Sequence, residues 1–596
     1  MLRLTSALML IACATVTRDA QGQEQVVRLD TVVVVGSHVT PGLAAQVRSV
    51  DVLDRAQLQR LPVRTIADAL QWAMGVDVMA RSPAQADLAI RGSGAEQVLV
   101  LIDGVPVNDR QTAHFNLDVA VPLDRVERIE ILRGPASAAY GADAMGGVVN
   151  VVTRSPGSSA DARVEGGTWD TFSGSLGAGL RIGAVRVGSG AALDRSDGHR
   201  DGTDYRTADV HVAAESPLAG GTIAARVGHR WADFGATGFY APYPSYEETR
   251  TATADVSWSG SLSRRLTVEP RVYWRQHRDH FVLDREDPDF YHNRHTSSRI
   301  GAEAVARYRG GRGMRFAVGT IVGRDLIESS NLGDHTEDRW ALFAEAVFQR
   351  GPLSATVGAR GDRYEEYGFV ASPTVALAYD ARSVRVRGSL GRSFRGPSWT
   401  ERYYQDPQNV GDPDLRPETA WAAEIGLDVA LAGDVWLSAT GFGRRARDLI
   451  DWARSDGGDA PWETRNIESA TFRGVEIELS AARVVGVRLR ATGVILSVAA
   501  DGTDGFVSKY ALRPIVEDMG IGVGRSVGVL DAETRVRYRR REGESGYWLW
   551  DLRLGLRARR GEVYVDLLNG LDTAYDDIAG ARAAGRAVLV GFRLRG

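Results

Sequence analysis

Metal-capable side chains crowd one stretch of this 596-residue sequence. Four of its ten histidines, His277, His280, His292 and His295, fall in 274–295 beside Asp279, Asp284, Glu286, Asp287 and Asp289. Imidazole and carboxylate together suit a transition metal. Each histidine pair is spaced by three, however, and along a strand that spacing sends its members to opposite faces. A site would need the pairs to lie in loops. The expectation is therefore no metal site, with His280 and His292 as the residues to test. A second cluster is aromatic. In 239–250 (FYAPYPSYEETR), Phe239, Tyr240, Tyr243 and Tyr246 could stack on a flat or aryl ligand. Tyrosine also gathers at membrane interfaces, and both readings stand. Serine, histidine and aspartate abound, but no nucleophile motif stands out. No enzymatic activity is expected.

The most constrained element that could carry such groups is 98–154. Its apolar runs Val98–Ile102 and 126–132 are closed by turn chemistry, Asp103-Gly104 and Arg133-Gly134-Pro135. A small-residue run from Ala136 to Gly141 follows, then a strand at 148–152 behind Gly146-Gly147. Upstream, 50–53 reads as a strand. Asp54 reads as a helix N-cap, and Thr65 as the cap of a second helix through Met74, with Ile66, Ala69, Leu70 and Ala73 on one face. Gly75 closes that helix, and strands at 76–78 and 88–90 follow. These pieces make one compact α/β domain of roughly 120 residues.

From about residue 160 the texture changes to strict alternation. Ala252, Ala254, Val256 and Trp258 alternate with Thr251, Thr253, Asp255 and Ser257. Val475, Ile477 and Leu479 alternate with Glu476 and Glu478, and Leu552, Leu554 and Leu556 with Arg553 and Arg557. Period two with heavily charged alternate positions is the lipid-facing and lumen-facing code of an outer-membrane barrel. About 440 residues at roughly 20 per strand and connection give about 22 antiparallel strands, and a lumen that wide needs a plug. The fold class is thus a transmembrane β-barrel with the N-terminal α/β plug domain inside its lumen.

The ends of the chain agree. Met1-Leu2-Arg3 and the apolar 4–16 form an export signal, too short to span a bilayer as a helix. Leu10-Ile11-Ala12-Cys13 also matches a lipobox, so the cleavage point stays open. Cys13 is the only cysteine, which excludes an intrachain disulfide. A net charge of −4 argues against a nucleic-acid partner. The last strand alternates Val588, Val590, Phe592 and Leu594 with Leu589, Gly591 and Arg593, but ends in Gly596 where an aromatic residue would be usual for an assembly signal.

With these motifs in hand, the sequence resembles the TonB-dependent outer-membrane receptors. Asp30, Thr31, Val32, Val33, Val34 and Val35 resemble the TonB box. Ile90-Arg91-Gly92, Leu101-Ile102-Asp103-Gly104-Val105-Pro106, Glu130-Ile131-Leu132-Arg133-Gly134-Pro135, Tyr140-Gly141 and Gly146-Gly147-Val148-Val149-Asn150 resemble the plug signature. In the barrel, Ser393-Phe394-Arg395-Gly396-Pro397-Ser398, 411–418, 466–476 and 569–575 resemble family landmarks, with Gly570 standing where leucine is usual. The plug is most similar to the vitamin B12 and siderophore receptor group. The resemblance implies a signal peptide at 1–22, a periplasmic linker with the TonB box at 23–37, a plug at 38–156 and a barrel at 157–596. It implies energised import of a scarce metal chelate, a ferric siderophore first and cobalamin next. TonB and its inner-membrane energising complex would be the protein partner and outer-membrane lipid the surroundings, with the receptor a monomer and without a resident cofactor. The plug apices, 81–87 and 109–116, would meet ligand through Arg81, Gln85, Arg110, Gln111, His114, Phe115 and Asn116. The alternative is a passive channel or adhesin-type barrel that TonB does not energise.

Overall fold

The computed structural model describes residues 37–39, 47–82, 84–157, 159–239, 243–456, 460–484, 486–503, 505–578 and 581–595. The export signal, the candidate TonB box from Asp30 to Val35, and Tyr240 lie outside the described residues.

The N-terminal domain is built on a five-stranded sheet. Its members are β1 (Val50–Asp54), β4 (Val98–Ile102), β5 (Val105–Pro106), β6 (Val126–Arg133) and β7 (Gly147–Thr153), in the order β1-β6-β7-β4-β5. β4 runs parallel to β7 and the other pairs are antiparallel. A hairpin of β2 (Val76–Ser82) and β3 (Gln85–Ile90) packs beside it. Asp103 and Gly104 join β4 to β5 with φ of 49° and 83°, the positive values a tight hairpin turn demands. Thr153 fixes that turn by donating its N–H and Oγ1–H to the Asp103 carboxylate at 2.9 and 2.6 Å.

Two short helices close the other side. α1 (Arg55–Leu58) and α2 (Ile66–Leu70) start with capping boxes, Asp54 with Gln57 and Thr65 with Asp68. α2 stops sooner than the expected Met74. Trp72 N and Ala73 N reach back only three residues, to the carbonyls of Ala69 and Leu70, and Gly75 then turns with φ 71°. Ile66, Ala69, Leu70 and Ala73 share the buried face and join Val98, Val100, Ile129 and Val149 in one core. α3 (Ser137–Tyr140) is the small-residue run, and Gly141 after it lies so near Arg360 that a Cβ would sit 2.7 Å from the guanidinium.

From Ser159 to Arg595 the chain forms a closed antiparallel barrel of 22 spanning strands. Val475 and Ile477 stand outward, each 49% exposed, while Glu476 between them is 1% exposed in the lumen. This inverts the usual soluble arrangement, as lipid outside and a polar interior require. Among the described residues no helix is long and apolar enough to cross a membrane. One end of the barrel has tight turns such as Ala219-Gly220, both with positive φ (49° and 74°). The other end carries the long connections, including 396–417 and 569–586. Short turns mark the periplasmic end and long loops the outside. The strands Val435–Ser455 and Trp462–Val484 run 21 and 23 residues, about twice what a tilted spanning strand needs. They therefore project beyond the bilayer on the loop side.

Candidate functional site

Arginine–carboxylate pairs seat the plug in the lumen. Arg91 follows β3 in the left-handed region, φ 52°. It donates from Nε and Nη2 to the two oxygens of Glu476 at 2.9 and 2.7 Å, and from Nη1 to Glu424 at 2.8 Å. Arg133 adds a second cation to Glu476 at 3.2 Å, and Phe442 lies 4.4 Å beneath the Arg91 guanidinium. Gly92 is required here: its φ is 71°, and a Cβ would fall 2.6 Å from Leu496. Asp51 pairs with Arg490 at 2.6 Å and Asp77 with Arg539 at 2.8 Å. The arginine-bearing motifs of the plug are thus its points of attachment to the wall.

Above the plug, the outer loops enclose a vestibule of about 1310 Å³. Its floor includes Asp87, Glu96, Gln97, Gln111, His114 and Phe115 of the plug. Its walls include Phe239, Tyr243, Phe290, Trp452, Trp462 and Tyr510. Two ion-paired clusters shape the floor. Asp109 receives Arg275 at 2.6 Å, Ser297 at 2.7 Å and the Gln111 N–H at 2.8 Å. Burial pushes its carboxyl up, but Arg275 together with His277, the Gln111 N–H and the Ser297 hydroxyl outweighs that and holds it at about 2. Arg395 meets Glu401 at 2.7 Å and also pairs with Glu418. Glu96 sits near that cluster, and burial followed by the Glu401 charge pushes its carboxyl up to about 8. An outer-loop helix, α4 (Trp399–Tyr403), clips onto the plug: Trp399 N and Thr400 N donate to the carbonyls of Arg110 and Gln111 at 2.9 and 3.0 Å.

This geometry divides the expected contact residues. Gln111, His114 and Phe115 line the vestibule, as do Phe239 and Tyr243. Arg110 does not: it is buried and paired with Glu337 at 2.8 Å, because α4 covers its loop. Asn116 is buried and accepts the Asp109 N–H through Oδ1 at 3.0 Å. Gln85 is buried within β3 and donates to Glu247 at 3.4 Å. The described residues of 81–87 are therefore largely strand rather than open loop, since β2 and β3 pair as far as Ser82 and Gln85. Arg81 belongs to β2, and its side chain lies outside the described residues. Tyr246 begins a strand next to inward-facing Glu247 and turns away from the vestibule, under Arg285 at 4.9 Å.

The histidine pairs split as spacing by three requires. Strand pairing places Asp279 opposite His295 and His280 opposite Arg294. His277 and His295 are buried in the lumen, while His280 and His292 stand on the outer face with ring centroids 6.0 Å apart. Among the described residues no group of three or more His, Cys, Asp or Glu is arranged to hold a metal.

Comparison with known proteins matches residues 152–569 to the TonB dependent receptor-like β-barrel family and residues 43–148 to the TonB-dependent receptor plug domain. The chain belongs to the TonB-dependent receptors. Such receptors are transporters of the outer membrane rather than enzymes. The vitamin B12 transporter BtuB of Vibrio vulnificus is 26% identical, with 75% of each chain covered. An iron-regulated outer membrane virulence protein of Vibrio cholerae is 24% identical over 74% of each. The siderophore receptor PirA of Pseudomonas aeruginosa superposes with a TM-score of 0.75 at 17% identity, covering 92% of this chain and 99% of that one. At that identity the last match speaks to the fold alone.

Sequence reasoning missed the cationic and aromatic wall made by Trp452, Arg454, Trp462, Lys509 and Tyr510. One signal was available. Of the 72 basic residues, Lys509 is the only lysine.

Proposed function

We propose that this receptor imports a bulky, flat metal chelate across the outer membrane, driven by TonB, with a corrinoid as first candidate and a ferric siderophore of low charge second. The vestibule carries the reading. At about 1310 Å³ it exceeds the range of about 300–1,000 Å³ usual for small-molecule sites, and its walls are aromatic. Its charge balance bears on the ligand. Its lining holds twelve Asp or Glu against seven Arg or Lys. Asp406 and Asp451 face it without a salt bridge among the described residues, whereas most arginines on its wall are paired within the protein, Arg395 with Glu401 and Glu418, Arg539 and Arg541 with Asp77. A net acidic wall repels a polyanionic chelate and tolerates a near-neutral one. This reverses the order expected from the sequence. The relatives named for vitamin B12 transport, matched over three quarters of their length, support the same order.

Import needs work, because the plug is held by buried ion pairs and the outer membrane has no energy source of its own. TonB would supply it by adding a strand to Asp30, Thr31, Val32, Val33, Val34 and Val35. Growth of a deletion strain on cobalamin and on defined ferric chelates, rescued by the full chain or by a chain lacking 24–37, tests both parts. Rescue by the full chain alone supports the reading. Equal rescue by the truncated chain refutes the energised step, and no rescue on any chelate refutes the substrate class.

A further inference from the structure

The sole lysine and a nearby arginine occupy one indole in the vestibule wall. The Arg454 guanidinium lies 4.5 Å from the Trp462 ring centroid and the Lys509 ammonium 5.4 Å from it. Trp452 and Tyr510 complete the enclosure of Lys509, with centroids at 5.9 and 5.3 Å. The backbone sets these positions. The short strand Phe506–Ser508 pairs with Ala453, Arg454 and Ser455, and Lys509 N donates to Trp452 O at 2.9 Å. Asn409 and Val410 pair with Trp462 and Glu463 from the other side, and Lys509 Nζ donates to Asn409 Oδ1 at 3.4 Å.

Neither cation has a carboxylate within salt-bridge distance among the described residues, although the surrounding cations do. Arg465 pairs with Glu463 at 3.2 Å and Arg513 with Glu544 at 2.5 Å. The neighbouring acids are engaged by turn amides. Asp451 accepts from the N–H groups of Trp452, Tyr510 and Ala511 and from Ser508, and Asp406 from those of Gln408 and Asn409. Two like charges drawn to one ring, with no counter-ion among the described residues, make a site that an anion stabilises.

We propose that Arg454 and Lys509, on Trp462, form an oxyanion subsite that takes one phosphodiester or carboxylate group of the chelate. The rings hold the flat part of the ligand while the cations fix its single negative substituent. In a net acidic vestibule this confines negative charge to one place and so sets ligand orientation. The assignment rests on the transport reading for its ligand but not for its chemistry, and the test separates the two. Reductive ¹³C-methylation of the full-length receptor labels one side-chain amine, identified by its loss in Lys509→Arg. Its resonance should shift saturably with dimethyl phosphate, and saturation should vanish in Arg454→Ala and in Trp462→Ala. A shift that merely rises with ionic strength overturns the subsite. In a second arm, the receptor should bind cyanocobalamin more tightly than cyanocobinamide, which lacks the phosphodiester. That preference should fall about tenfold in Lys509→Ala and largely survive in Lys509→Arg. An unchanged preference in Lys509→Ala overturns the subsite. Saturable dimethyl phosphate binding with no corrinoid binding supports the subsite and refutes the corrinoid reading.

Discussion

Removing the Arg91 side chain should loosen the plug while leaving the barrel intact. Arg91→Ala deletes three charge-assisted hydrogen bonds to Glu476 and Glu424, whose side chains are 1% and 4% exposed. Breaking a buried ion pair costs about 3–5 kcal/mol, because the surviving charge stays desolvated. Here the survivors keep some company. Glu476 retains Arg133 at 3.2 Å, and Glu424 retains Ser49 Oγ at 3.1 Å and Arg387 at 3.6 Å. The lower end, about 3 kcal/mol, is therefore expected. Amide hydrogen exchange reads this directly. Amides of β3, β6 and β7 should exchange about a hundredfold faster at that cost, while those of the barrel strands keep wild-type rates. Arg91→Ala combined with Glu476→Gln should cost less than the two single changes summed, since the double variant strands no carboxylate at that position. Plug exchange within twofold of wild type, or strictly additive costs, would refute the claim that this pairing seats the plug.

Three further outcomes follow from the vestibule floor. Asp109 has its folded value depressed to about 2 from an ordinary 3.8, so its contribution is present above pH ~4 and lost as pH falls toward 2. That contribution is worth about 2 kcal/mol, and Asp109→Asn should abolish the corresponding acid-induced rise in exchange at 109–116. Glu96 has the opposite sign: its folded value is raised to about 8 from 4.5, so it favours the folded plug below pH ~4.5 and that advantage is lost as pH rises through 8. Glu96→Gln should flatten the fall in plug stability between those limits, and a thermal unfolding series against pH would show no change in slope if the reasoning is wrong. Trp399, 1% exposed at the start of α4, anchors the clip on the plug loop. Trp399→Ala should cost about 3–5 kcal/mol locally and expose 396–417 to limited proteolysis, whereas an unchanged digestion pattern would count against the clip.

The barrel was readable because lipid enforces a period of two on every spanning strand, and the plug because its turns need Gly, Pro or Asp at fixed places such as Asp103-Gly104. Helix length was less readable. The α2 cap at Thr65 is a local hydrogen bond, whereas its early end depends on a change of bonding pattern that residue types at 71–74 do not encode. The vestibule was hardest. Its cationic wall joins residues near 409, 454, 462 and 509, brought together by strand tips that rise past the bilayer, where neither period nor spacing applies. Arg110 shows the same difficulty in reverse: its loop does crown the plug, but α4, almost 300 residues later in the chain, covers it. Alternation marks charged lumen positions only as polar. The structure separates them by depth. Glu424 and Glu476 hold the plug's arginines, whereas Arg454 and Lys509 at the rim have no carboxylate among the described residues. A charge matched within the protein anchors the fold, and one unmatched among the described residues at the mouth is available to a ligand, so the seal follows the alternating code while the proposed subsite lies beyond it.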